Sequence, residues 1–141
     1  MLRSIISVSG LLLLLLVPVS AGASDLKVAK PWVNMPIVDE PAPAYFVIQN
    51  RGDKPRKLVG GSSPRCEKIE IHRAVVKDGA MTSEALDEFD IPAGGAVAFV
   101  PRGLSLMLVG SRDLTEGETI PIELEFANGE RLGIEALVRE K

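Results

Sequence analysis

"EKIEIHRAVVKDGAM", residues 67–81, alternates with a period of two. Successive side chains of an extended strand point to opposite faces, so Ile69 and Ile71 fall on one side. Lys68, Glu70 and His72 fall on the other. The Asp78-Gly79 dipeptide then reads as a two-residue hairpin turn, which sets Ala74 opposite Ser83, Val76 opposite Met81 and His72 opposite Ala85.

The same alternation recurs on both sides of this stretch. "DLKVAKPWV" places Leu26 and Val28 on one face, and "AYFVIQN" sets Tyr45 and Val47 against Phe46 and Ile48. "AVAFVP", "LSLMLV", "TIPIELEF" and "RLGIEALV" continue it. Turn-forming clusters separate them: "NRGDKP", "GGSSPR", "KDGA", "IPAGG" and "ANGE". The proline-rich "NMPIVDEPAPA" predicts an extended loop or edge crossing. About nine short strands at regular spacing, with no helical stretch beyond the N-terminal segment, predict an all-β sandwich or barrel. Its core is expected to take Ile69, Ile71, Leu104, Leu106 and Leu108.

The chain begins "MLRSIISVSGLLLLLLVPVSAGA", with a basic Arg3, an apolar run from Gly10 to Val19, and small residues at Ala21 and Ala23. That pattern reads as a secretory signal peptide over residues 1–23, cut after Ala23. As a membrane anchor the apolar run is too short to span a bilayer comfortably. The mature chain is then a single domain, residues 24–141, expected in the periplasm and beginning at Ser24. Removing Arg3 leaves 15 basic against 19 acidic residues, a net charge of −4. Nucleic acid demands a basic surface, so that balance argues against it as a partner. No second apolar span follows, so the mature domain is not expected to be an integral membrane protein. One cysteine, Cys66, rules out an internal disulfide, and stability must rest on the hydrophobic core.

Enzyme chemistry finds little purchase. His72 is the sole histidine, and no serine is tied to it by a nucleophile motif. "PAGGAV" lacks the lysine and the strand–loop–helix context of a phosphate loop, and the carboxylates of "LDEFD" read as solvated surface. What remains is imidazole and thioether, His72 and Met107, a donor pair that suits the soft ion Cu(I). The competing reading is packing, since a methionine among leucines fills core and a lone strand histidine commonly sits on the surface.

The order of turns and motifs adds to this. "AYFVIQNRGDKPRKLVGGSSPRCEKIEIH", then "IPAGGAVAFVPRGLSLMLVG", then "LTEGETIPIELEF" resembles the periplasmic PCu(A)C-type copper chaperones, over about Pro31 to Val138. The resemblance implies a cupredoxin-like or immunoglobulin-like Greek-key β-sandwich that binds Cu(I) at a His/Met site near one end. It also implies passage of that copper toward the copper centre of cytochrome c oxidase. The family's copper motif is a His, a Met eleven residues on, and a His-x-Met twenty-two residues after that Met. His72 matches the first ligand and Met107 the last, while Ser83 stands where the motif has Met and Ser105 where it has His. Hydroxyls are poor ligands for a soft cation.

Other donors are candidates for the gap. Met81 shares Ser83's face, although four residues of strand from Ala85 amount to roughly 13 Å. Met35 could reach the site from its loop, or simply pack on the core. Cys66 is six strand residues from His72, roughly 20 Å, and cannot share an ion with it. Trp32 reads as a core or strand-end anchor. The sequence therefore predicts an exported Cu(I)-binding chaperone, not an enzyme, with His72, Met107 and Met81 as metal ligands and a copper-acceptor protein of oxidase assembly as partner. The alternative is a β-sandwich interaction or assembly module without metal. A thiol redox protein built on Cys66 lacks a C-x-x-C partner. Copper, if bound, is expected as Cu(I), because too few hard donors are expected to converge for Cu(II).

Overall fold

The computed structural model describes residues 25–140, and among them every regular element is a strand. The signal-peptide reading of residues 1–23 lies outside the described residues. The strands are β1 (Leu26–Asn34), β2 (Ala42–Asn50), β3 (Arg56–Ser62), β4 (Lys68–Lys77) and β5 (Ala80–Leu86). They continue with β6 (Phe89–Ile91), β7 (Ala96–Phe99), β8 (Leu104–Val109), β9 (Thr119–Phe126) and β10 (Arg131–Arg139). All ten join one sheet in the order β5-β4-β8-β7-β2-β1-β10-β9-β3-β6. A Gly61–Ile69 bridge between β3 and β4, with direct β8–β2 pairing, wraps that sheet around on itself. The pairs β1–β10 and β7–β8 are parallel and the others antiparallel. No helix among the described residues is long and apolar enough to cross a membrane.

The inward faces meet in one core. Phe46 and Ile48 of β2, Ile71 of β4, Phe99 of β7 and Leu106 and Leu108 of β8 are buried there. They pack with Ile120, Ile122 and Leu124 of β9 and Val138 of β10. Ile69 joins them, and Leu104, at the start of β8, is half-buried against the same cluster. Phe99 stacks on Phe46 at 4.5 Å between ring centroids and takes the edge of Phe89 at 6.3 Å. Trp32 is half-buried rather than core, held between Tyr45 at 4.8 Å and the Arg139 guanidinium at 3.9 Å.

Ten strands replace the expected nine or so, and the additions are informative. β3 carries Gly60 and Gly61, so its end reads locally as a turn cluster. The register against β9 shifts between Leu58 and Gly60, as at a bulge. A Cβ on Gly61 would stand 2.7 Å from the Glu123 carbonyl oxygen, so the strand approach itself requires glycine there. β6 is three residues long and is defined by its pairing with β3, not by a pattern of its own.

The hairpin register is as the sequence predicts. Asp78 and Gly79 both take positive φ, 53° and 77°, and the strands pair His72 with Ala85, Ala74 with Ser83 and Val76 with Met81. A second irregularity, between Ala29 and Trp32 in β1, accommodates Pro31, which has no N–H for the ladder.

Cys66 lies just before β4, 7% exposed and packed in the core. Burial pushes its thiol up from the ordinary value, against a smaller downward pull from Arg112. Since the thiolate is the nucleophile, alkylation of the native protein by iodoacetamide at pH 8 is expected to be at least about tenfold slower than in denaturant. Equal rates, followed by intact mass, would show that the thiol is accessible in the native fold.

Candidate metal centre

β4 lies between β5 and β8, so its outward side chains have neighbours on both flanks. Ile69 and Ile71 turn into the core, which leaves Lys68, Glu70 and His72 on the outer face at two-residue intervals. On the β8 side Glu70 stands opposite Met107 and His72 opposite Ser105. On the β5 side Ala85 faces His72, and Ser83 lies two pairs further on, opposite Ala74 and on the same face. The four positions His72, Ser83, Ser105 and Met107 thus converge on one patch of one face. They are separated by up to 35 residues of sequence, and only the three-strand register brings them together.

His72 and Met107 are diagonal neighbours on adjacent strands, a relation that places Cβ atoms about 7–8 Å apart and within reach of long side chains. The imidazole is held from both sides. Its Nδ1 lies 3.2 Å from the Ser83 hydroxyl and its Nε2 2.8 Å from a Glu70 carboxylate oxygen, Oε2. An ionised carboxylate can only accept, so Nε2 carries the proton it donates to Glu70. In the neutral ring Nδ1 then accepts from the Ser83 hydroxyl, which can rotate to give or take a hydrogen. The other Glu70 oxygen, Oε1, accepts from the Lys68 ammonium at 2.9 Å. The His72 hydrogen bond first, and the Lys68 one second, hold the Glu70 carboxyl below its ordinary range.

A concavity of about 620 Å³ opens beside this patch, walled by Tyr45, Ser83, Ser105, Met107 and the turn from Val100 to Gly103. That turn is pinned to β4 by the Ala74 N–H, which donates to the Gly103 carbonyl at 2.9 Å. Ser105 is 5% exposed at the floor, and burial pushes the Tyr45 phenol up. A second concavity, of about 690 Å³ between Ser63, Pro121 and Glu135, is lined by no histidine, methionine or cysteine.

The remaining candidates are not brought to His72. Met81 lines the rim of the same concavity but stands opposite Val76 and is 58% exposed. The hairpin is regular, so Met81 stays about 13 Å along the strand from Ala85. Met35 is half-buried and packs on the core, with its N–H bonded to the Arg139 carbonyl. Cys66 is buried in the core. The sequence reading did not single out Glu70, which contacts His72 and stands opposite Met107. Its signal was present, two residues before His72 on the same face, but its position opposite Met107 depends on the β4–β8 register.

Comparison with known proteins supplies the family. A model of the LpqE-like family, described as "Putative lipoprotein LpqE-like", matches residues 26–138, most of the chain. The chain belongs to the LpqE-like family. The LpqE-like chain is also 33% identical over 109 residues to the "Putative lipoprotein Lxx21020" of Leifsonia xyli subsp. xyli. That match covers 76% of this chain, and the chain spans 65% of the length of that curated relative.

Among solved structures, the LpqE-like domain superimposes on the copper-bound PCuAC domain from PmoF2 with a TM-score of 0.71 at 21% identity. The match covers 85% of this chain and 97% of that one. Apo-DR1885 from Deinococcus radiodurans matches at 28% identity and TM-score 0.63, over 86% of this chain and 83% of its own. The CuI form of DR1885 matches at 26% identity and TM-score 0.64, over 82% and 77%. The LpqE-like domain therefore has the PCuAC-like, cupredoxin-like β fold that the sequence predicts.

Proposed function

We propose that this protein is an exported copper chaperone that carries Cu(I) between His72 and Met107 on the outer face of β4 and β8. The observation that carries the reading is the convergence of His72, Ser83, Ser105 and Met107 on one patch. Within that patch the register makes His72 and Met107, the two positions that match the copper motif, diagonal neighbours on adjacent strands. The copper-bound solved relatives and the lipoprotein descriptions of the sequence relatives support the same reading.

Imidazole nitrogen and thioether sulfur both suit Cu(I), and a site with only two strong donors leaves room for an acceptor's ligand to enter. On loading, the metal would take Nε2 and the ring's single proton would sit on Nδ1, with Glu70 free to turn toward Lys68. Ser83 serves either state, because its hydroxyl accepts from Nδ1–H as readily as it donates to Nδ1. The role is binding and transfer rather than catalysis. By its resemblance the acceptor belongs to the assembly of the cytochrome c oxidase copper centre, in the periplasm or at the outer surface of the cell.

One observation favours a second reading, an interaction or assembly module without metal. Both nitrogens of His72 are already hydrogen-bonded, and Ser83 and Ser105 offer hydroxyls where soft ligands are expected. An anaerobic competition titration of residues 24–141 against a Cu(I) chelator separates the two. The chaperone reading expects one Cu(I) per chain, and His72→Ala weakens it at least about tenfold, the usual lower bound for losing even an outer partner of a metal site. Absence of any Cu(I) uptake, or uptake indifferent to His72→Ala, hands the site to the module reading.

A further inference from the structure

The outer face of β4 presents a third donor beside His72 and Met107. Glu70 is the direct cross-strand partner of Met107, a relation that places Cβ atoms about 4.5–5.5 Å apart. It is also in contact with His72, its Oε2 lying 2.8 Å from Nε2. Carboxylate, imidazole and thioether therefore sit at neighbouring points of one face, with Lys68 anchoring the oxygen that does not face His72. Carboxylate is a hard donor and imidazole an intermediate one. Both are ligands that Cu(II) accepts and that Cu(I) needs less. The expectation that hard donors are too few for divalent copper overlooks this carboxylate.

We propose that Glu70, His72 and Met107 form a mixed oxygen, nitrogen and sulfur site that takes Cu(II) as well as Cu(I), with the Glu70 carboxylate as the donor that admits the divalent state. The inference deepens the copper-chaperone reading and rests on it. Cu(II) would take the place on Nε2 of the proton now donated to Oε2, and the ring would keep its one proton on Nδ1, donated to the Ser83 hydroxyl, so the imidazole stays neutral and no net proton is released. No electron is transferred in this step. The Glu70 carboxylate offsets one of the two charges that Cu(II) brings, which neutral imidazole and thioether cannot do.

The test titrates residues 24–141 with Cu(II) under electron paramagnetic resonance, alongside the anaerobic Cu(I) competition, in wild type, Glu70→Gln and His72→Ala. Glu70 is half-buried on the outer face and outside the core, so the isosteric amide is expected to preserve the fold, which circular dichroism checks. One equivalent of Cu(II) is expected to bind with nitrogen splitting from a single imidazole, lost in His72→Ala. Glu70→Gln is expected to lower the ratio of Cu(II) to Cu(I) affinity at least about tenfold, because it removes the charged hard donor while the soft one stays. Cu(I) uptake with no Cu(II) uptake, or a ratio unmoved by Glu70→Gln, overturns this inference and leaves the Cu(I) reading intact. Glu70-dependent Cu(II) uptake without Cu(I) overturns the dual-state site together with the Cu(I) reading and leaves a Cu(II) site with Glu70 as its ligand. Uptake of neither ion overturns both.

Discussion

The double replacement of Ser83 by methionine and Ser105 by histidine is expected to tighten Cu(I) binding at least about 100-fold over the natural protein. Even an outer-shell partner of a metal site is worth roughly 10–100-fold in affinity, and a direct soft ligand contributes no less. The geometry admits both changes. Ser105 stands opposite His72, so an imidazole there enters the same patch, beside a concavity of about 620 Å³ with room for the larger ring. Ser83 already touches the His72 ring, so a thioether at 83 starts within reach of a metal held by it. Each single replacement is expected to deliver part of the gain, and the two are coupled because they share one ion. The measurement is the same chelator competition, with a thermal melt in the absence of copper to verify folding. A folded double variant whose affinity equals that of the natural protein would mean that these strands do not present a copper-motif geometry.

Phe99→Ala is expected to cost about 3–5 kcal/mol, the range for truncating a fully buried aromatic side chain. That is a large fraction of the roughly 5–15 kcal/mol by which domains of this size are stable. Phe99 is 1% exposed, stacked on Phe46 and abutted by Phe89, so its loss leaves a void bordered by two aromatic rings and removes the contact each makes with it. It also ends β7 and pairs with Leu104 at the start of β8, the strand that carries Ser105 and Met107. Copper affinity is therefore expected to fall along with the melting temperature, which should drop by roughly 10–25 °C. A loss under about 1 kcal/mol in denaturant titration would mean that the core closes over the gap, contrary to the close packing of protein interiors.

Sequence alone determined the strands that alternate cleanly, because a period of two with one buried face leaves little choice of conformation or register. The inward set of Ile69, Ile71, Leu106 and Leu108 follows from that, as does the hairpin at Asp78-Gly79, whose residues tolerate the positive φ that the turn demands.

The tertiary structure decided what depends on pairing between distant segments. β3 and β6 exist because β9 and β3 offer them open backbone, and a glycine pair or a three-residue stretch carries no pattern that announces this. The same is true of the site. Period two puts Glu70 beside His72 on a face, but only the β4–β8 register sets Met107 against Glu70 and Ser105 against His72. The β4–β5 register in turn sets Ser83 against the imidazole and leaves Met81 at the rim. Which donors can share one ion is a question of a few ångströms across strands, and alternation within a strand fixes the face but not the neighbour.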